Sequence, residues 1–134
     1  MENQQSGGCE CGAVRYRVAG EALAVVVCHC RRCQRQSGSA FGMSMLFAPN
    51  QFSCESTELA SYERSAESGA TMRRHFCRTC GTVIFGSKPS ASYVMLKPGT
   101  RDETANIRPS AQLWTSRKQN WIDLSEPEGY ETQP

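Results

Sequence analysis

Apolar and polar residues alternate along this chain over short stretches, and no helical period of apolar positions persists for ten residues. Val14, Tyr16 and Val18 alternate with Arg15 and Arg17, the pattern of a strand buried on one face. Residues 23–27 are apolar throughout and predict a second, more buried strand after a turn at Gly20-Glu21. Further strands are expected over 41–47, 59–64, 72–76, 82–85, 93–97 and 112–114. Turns are expected at Pro49-Asn50, Lys88-Pro89-Ser90 and Pro98-Gly99, and a polar loop over 65–70. Short helical turns are expected over 34–39 and 115–120, and Pro127 and Gly129 mark a loose tail. The fold class is therefore mainly β: short strands with frequent turns in one sandwich-like domain covering residues 1–134.

With 39% hydrophobic and 21% charged residues, the chain can bury a core, and disorder is excluded as the general state. Residues 1–8 are polar and glycine-rich, unlike a signal peptide, and no run approaches the ~18 apolar residues of a membrane span. The expectation is a cytoplasmic protein in a reducing compartment, where cysteines bind metal or catalyse more often than they form disulfides. Formal net charge is +2, counting cysteines as neutral thiols. Seven thiolates on two zinc ions would bring it to about −1, so neither a nucleic-acid surface nor a membrane surface is implied.

The eight cysteines carry the chemistry. Cys9 and Cys11 form a C-x-C, Cys28, Cys30 and Cys33 a C-x-C-x-x-C, and Cys77 and Cys80 a C-x-x-C followed by Gly81, with Cys54 alone. A disulfide framework is the competing reading, but the clustering is that of metal ligands. Both sulfurs of a C-x-x-C reach one ion at about 2.3 Å because the chain turns between them. A C-x-C does the same on a bent strand, and Gly7, Gly8 and Gly12 permit the bend. The six-residue triad Cys28, Cys30 and Cys33 most simply serves one ion, leaving Cys9, Cys11, Cys77 and Cys80 as a closed, structural four-cysteine set. Three protein ligands leave one coordination position open, as catalytic zinc sites do. Cys54, His29 and His75 are the candidates for a fourth ligand. His29 lies between two ligands, which turns its ring away from the ion and makes it either a support behind the ligands or an exposed residue; His75 reads as partly buried or paired, and Cys54 as a small buried thiol.

Three thiolates weaken the Lewis acidity of zinc and suit it to bind another thiolate rather than to generate hydroxide. A substrate thiol held there would be ionised at neutral pH and ready to attack an electrophile. Arg31, Arg32, Arg35, Arg73 and Arg74 are available to offset charge or hold substrate carboxylates, although most read as solvated surface. Ser37-Gly38-Ser39 is either an ordinary turn or a source of N–H groups for a carboxylate. Trp114 and Trp121 read as packing residues, and Phe41 and Phe85 as core.

Several of these motifs resemble one known family. Gly8-Cys9-Glu10-Cys11-Gly12, and Cys28-His29-Cys30-Arg31-Arg32-Cys33 running on to Ser37-Gly38-Ser39-Ala40-Phe41, resemble the glutathione-dependent formaldehyde-activating enzymes. So do Arg74-His75-Phe76-Cys77-Arg78-Thr79-Cys80-Gly81-Thr82, Lys97-Pro98-Gly99-Thr100 and the Trp114…Trp121 pair, and the resemblance runs from Gly8 to Pro134. It implies packed antiparallel sheets like those of the zinc-containing Rab-binding chaperone. It also implies a structural zinc on Cys9, Cys11, Cys77 and Cys80 and a second, catalytic zinc on Cys28, Cys30 and Cys33. The implied activity is condensation of glutathione with formaldehyde, classed in reverse as a carbon–sulfur lyase, with a small-molecule thiol and an aldehyde as partners. The competing readings are a non-enzymatic zinc module that binds a protein or nucleic acid, and a thiol-redox or metal-buffering protein.

Overall fold

The computed structural model describes residues 4–65, 69–89, 92–124 and 127–133. The polar loop expected over 65–70 and the turn at Lys88-Pro89-Ser90 fall partly outside them. In chain order the elements are β1 (Gln4–Gly8), β2 (Arg15–Ala19), β3 (Ala24–Cys28), α1 (Arg31–Ser37), β4 (Gly42–Phe47), β5 (Phe52–Cys54), β6 (Leu59–Ser65), β7 (Thr71–Cys77), β8 (Val83–Ser87), β9 (Val94–Leu96), β10 (Ala111–Leu113) and β11 (Glu128–Gly129). Single 3-10 turns cover Pro49–Gln51, Pro98–Thr100 and Thr115–Arg117. The chain divides into two compact units, Met1–Leu23 with Met45–Asn106, and Ala24–Ser44 with Ile107–Pro134.

The first unit contains two sheets. β2 pairs antiparallel with β1 on one side and β5 on the other, with Tyr16 opposite both Gly7 and Cys54. The alternation in β2 does what its pattern predicts: Tyr16 and Val18 are buried while Arg15 and Arg17 face solvent. The second sheet runs β4, β9, β8, β7, β6, all antiparallel, and Met45, Leu96, Phe85, His75 and Ser61 form a row across it. Phe52 bridges the two sheets, with its ring 5.5 Å from Tyr16 and 4.6 Å from Phe85. Phe47, Ile84 and Leu96 complete the interior.

β1 has no apolar pattern, and its strand conformation comes from its neighbours. A Cβ on Gly7 would lie 2.3 Å from Tyr16 Oη and 2.4 Å from the Thr100 carbonyl, so only glycine allows this approach. Thr100 gives its hydroxyl hydrogen to the Lys97 carbonyl (2.7 Å), so the Tyr16 hydroxyl donates to Thr100 Oγ1 (2.8 Å). The Lys97-Pro98-Gly99-Thr100 motif thus ties β1 and β2 to the turn that follows β9.

The second unit departs from the antiparallel expectation. β10 lies parallel to β3, with Ala111 opposite Val26 and Leu113 opposite Cys28, and β11 lies parallel to β10. The sequence separation of β3 and β10 allows the crossover that parallel pairing needs. The expected helical turn at 34–39 begins earlier, at Arg31, because Cys30 acts as its N-cap. The helix ends at Gly38, whose φ of 62° closes an αL cap with its N–H directed at the Arg35 and Gln34 carbonyls. Trp114 also takes αL backbone (φ 57°, ψ 47°), rare for a bulky residue, as it enters the 3-10 turn.

Candidate metal centres

The strand ends deliver the first four cysteines. Cys9 follows β1 directly, and the chain reverses through Gly12 (φ 86°), with Gly12 N–H bonded to the Cys9 carbonyl and Cys9 N–H to the Val14 carbonyl, both at 3.1 Å. The C-x-C therefore sits in a tight turn rather than on the bent strand the sequence suggests. Cys77 ends β7, and a second turn through Gly81 (φ 83°) returns the chain to β8. Cys77 N–H meets the Thr82 carbonyl at 2.9 Å, and Gly81 N–H the Cys77 carbonyl at 2.8 Å. Just before this turn, pairing slips between His75 and Phe76, so that Phe85 faces His75 but Val83 faces Phe76. Such a bulge re-aims the end of a strand.

These turns bring the sulfurs of Cys9, Cys11, Cys77 and Cys80 within 4.8 Å of one another. Cys9 and Cys11 are separated by 3.6 Å and Cys11 and Cys77 by 3.8 Å. A tetrahedron of sulfurs about 2.3 Å from zinc has edges of about 3.8 Å, so the donor set fits that ion. A disulfide needs about 2.05 Å, and all eight cysteines are free. N–H groups already point at these sulfurs: Val14 N–H to Cys9 at 3.2 Å and Thr79 N–H to Cys77 at 3.4 Å.

Acidity within the group is uneven. The Thr82 hydroxyl, 3.2 Å from Cys80 Sγ, together with the Thr82 and Cys11 N–H groups, brings the Cys80 thiol down to about 6. Cys11 is pushed up to about 12: the Ala13 N–H favours its thiolate but is outweighed by crowding from Cys9, Cys80 and Cys77 and by desolvation. Burial disfavours the Cys9 thiolate, yet the Val14 N–H and the Cys11 and Cys77 thiols bring it below its ordinary value. Four thiolates do not coexist here without a cation, which the chemistry of the donor set calls for.

The second group forms where β3 runs into α1. Cys28 ends the strand, Cys30 caps the helix and Cys33 lies in its first turn. Cys33 N–H points at Cys30 Sγ (3.4 Å), and Gln34 N–H bonds the Cys30 carbonyl (2.9 Å). The three sulfurs lie within 4.8 Å of one another and are half-buried. No fourth His, Cys, Asp or Glu among the described residues joins them. The Cys28 thiol is pushed strongly up by the adjacent Cys33 and by burial, again a sign of sulfurs gathered without a balancing charge. Gly42 makes room for the group, since a Cβ there would lie 3.2 Å from Cys33 Cβ. Nothing in the sequence around Gly42 signals this.

The other candidate ligands are engaged elsewhere. Cys54 lies on β5, with Sγ 3.6 Å from the Arg15 carbonyl. His75 stacks on Phe85 at 4.1 Å with its Nε2 3.1 Å from Ser87 Oγ, and burial followed by the Arg73 charge lowers its pKa. His29 is fully buried, with Nε2 2.9 Å from Gln112 Oε1. Arg73 pairs with Glu63 and Arg31 donates to Gln34. The Gly38 and Ser39 N–H groups serve the helix end, and Ser37 Oγ donates to the Cys33 carbonyl (2.8 Å), so Ser37-Gly38-Ser39 is a cap rather than a carboxylate cradle. Trp121 does not pack: it is 72% exposed. Buried Gln34 and Gln112 are polar residues that sequence reasoning passes over, because glutamine carries no positional signature.

The family model of the glutathione-dependent formaldehyde-activating enzyme matches residues 4–117. This chain belongs to that family. The match spans both cysteine groups and most of the chain, and the family is named for an enzyme that activates formaldehyde with glutathione. A crystal structure of a Rhodobacter sphaeroides protein, a structural-genomics target, is similar to this family member in fold, with a TM-score of 0.58 and 21% identity over 78% of this chain and 91% of that one. None of the curated proteins matches the chain. Among the described residues, no helix is long and apolar enough to cross a membrane.

Proposed function

We propose that this protein is a zinc-dependent carbon–sulfur lyase-like enzyme that joins a thiol, glutathione or one like it, to an aldehyde and releases it in reverse. The observation that carries the reading is the three-sulfur group with no fourth protein ligand among the described residues. Family membership supports glutathione and formaldehyde as the substrate pair. Zinc held by Cys28, Cys30 and Cys33 would supply positive charge and a coordination position that keep a substrate thiol ionised at neutral pH. The chain's own part is to hold the three sulfurs: β3 fixes Cys28, while the helix cap fixes Cys30 relative to Cys33. Arg35, exposed on the same helix, is available to a substrate carboxylate.

Cys9, Cys11, Cys77 and Cys80 would hold a second, structural zinc that closes the two turns on each other. Under this reading residues 1–134 act as one zinc-binding domain in the cytoplasm, with sheets arranged as in the zinc-containing Rab-binding chaperone. The test is aldehyde consumption with and without glutathione, against the spontaneous reaction and against Cys30→Ser. Glutathione-dependent turnover above the spontaneous rate, lost in Cys30→Ser, is expected. Equal rates for the two proteins would remove the catalytic role.

A further inference from the structure

We propose that His29 is a positioning residue for the three-cysteine site, held by Gln112 and Gln34, so that the sulfur-bearing loop is set before a metal arrives. This rests on the reading that Cys28, Cys30 and Cys33 bind zinc. The hydrogen-bond pattern fixes the arrangement. Gln112 Nε2 lies 2.6 Å from the Leu124 carbonyl, so that end of the amide must donate. Its other end, Oε1, therefore accepts, and it lies 2.9 Å from His29 Nε2. Nε2 must carry the hydrogen.

The backbone of the same residue is held twice more. His29 N–H bonds the Leu113 carbonyl at 3.0 Å, and the His29 carbonyl accepts from Gln34 Nε2 at 2.8 Å. Gln34 Nε2 also lies 3.4 Å from the Arg117 carbonyl, and Gln34 Oε1 takes the Arg31 guanidinium. The residue between two of the three ligands is thus tied through ring, N–H and carbonyl to β10, to α1 and, through Gln34, to the turn after β10. All of these contacts lie within the second compact unit.

His29, Gln34 and Gln112 are all buried, so these bonds do not exchange freely with water. His29 Nδ1 has no hydrogen-bond partner among the described residues, so the ring is hydrogen-bonded through Nε2 and otherwise packs edge-on against Phe41, with centroids 5.7 Å apart. A single substitution can therefore cut the side-chain link. Partners that orient ligands in this way change metal affinity by about 10–100-fold when removed.

The test is zinc affinity, read by competition with a chromophoric chelator on the full chain, with Cys30→Ser marking which of the two zinc classes belongs to the triad. His29→Leu is expected to weaken zinc at the triad about 10–100-fold and leave the four-cysteine class unchanged. His29→Gln, whose amide can still donate to Gln112, is expected to stay close to wild type. Gln112→Leu cuts the link from the other end and should match His29→Leu; it carries the test if His29→Leu does not fold. Unchanged triad affinity in His29→Leu and Gln112→Leu, beside a wild type that binds two zincs, would overturn the role of His29 while leaving the proposed function standing. A parallel fall of both zinc classes with thermal stability would reduce His29 to a packing residue. A wild type that binds zinc only at the four-cysteine site would remove the proposed function and this inference together.

Discussion

Thr82 illustrates how one side chain sets the reactivity of a site. Its hydroxyl reaches Cys80 Sγ at 3.2 Å and also accepts the Glu10 N–H at 3.2 Å, so it links the two turns that carry the four sulfurs. In metal-free protein Cys80 is depressed to about 6 and Cys11 is raised to about 12, so at pH 7 the first is largely thiolate and the second thiol. Alkylation of chelator-treated protein at pH 7, mapped by peptide, is expected to label Cys80 well before the more exposed Cys11; equal labelling would contradict the assignment. Thr82→Val should slow Cys80 labelling. The sign for stability follows from the same shift. A cysteine depressed below its unfolded value of 9.0 stabilises the metal-free fold above that value, and the contribution fades as pH falls through about 6. Gly7 works by space rather than charge. Gly7→Ala drives a methyl into Tyr16 Oη and the Thr100 carbonyl, at a cost of about 1–3 kcal/mol. A melting temperature lowered by several degrees would register it.

At the scale of elements, the three-cysteine site is a strand end joined to a capped helix turn. Gly42 on β4 backs this turn, and a side chain there would press on Cys33. Gly42→Val is expected to weaken zinc at the triad and spare the four-cysteine group, which the same competition assay reads. Gly38→Ala disturbs only the αL cap and should cost about 1 kcal/mol with both zinc affinities kept. The sequence made β2 legible through alternation, because burial of Tyr16 and Val18 decided it; the apolar run located β3 but overstated its burial, since only Val27 of that strand is buried and Leu23 is 63% exposed. The sequence left β1 and β11 illegible, because Gln4–Gly8 and Glu128–Gly129 are strands through the pairing partner and the space available, not through their own side chains. The helix start at Arg31 was hidden for a related reason: a cysteine is not a usual N-cap, and here Cys30 accepts the Cys33 N–H through sulfur.

At the scale of the molecule, the two cysteine groups fall in different compact units, Cys9, Cys11, Cys77 and Cys80 in the first and Cys28, Cys30 and Cys33 in the second. Spacing alone suggested the grouping, since C-x-C and C-x-x-C restrict which sulfurs meet. The His29–Gln112 contact could not be read from it, because 83 residues separate the partners. A closed four-sulfur site holds its ion more tightly than a three-sulfur one, so stepwise chelation should remove one zinc with the fold retained and the second only with unfolding, followed by metal release and circular dichroism together. The most direct test of the central claim is sulfur coordination of the bound zinc by X-ray absorption, with and without glutathione. With two zincs per chain, the account predicts an average of about 3.5 sulfurs per zinc, rising to about 4 when the thiol is added. Four sulfurs per zinc before glutathione, or an average that glutathione leaves unchanged, would contradict it.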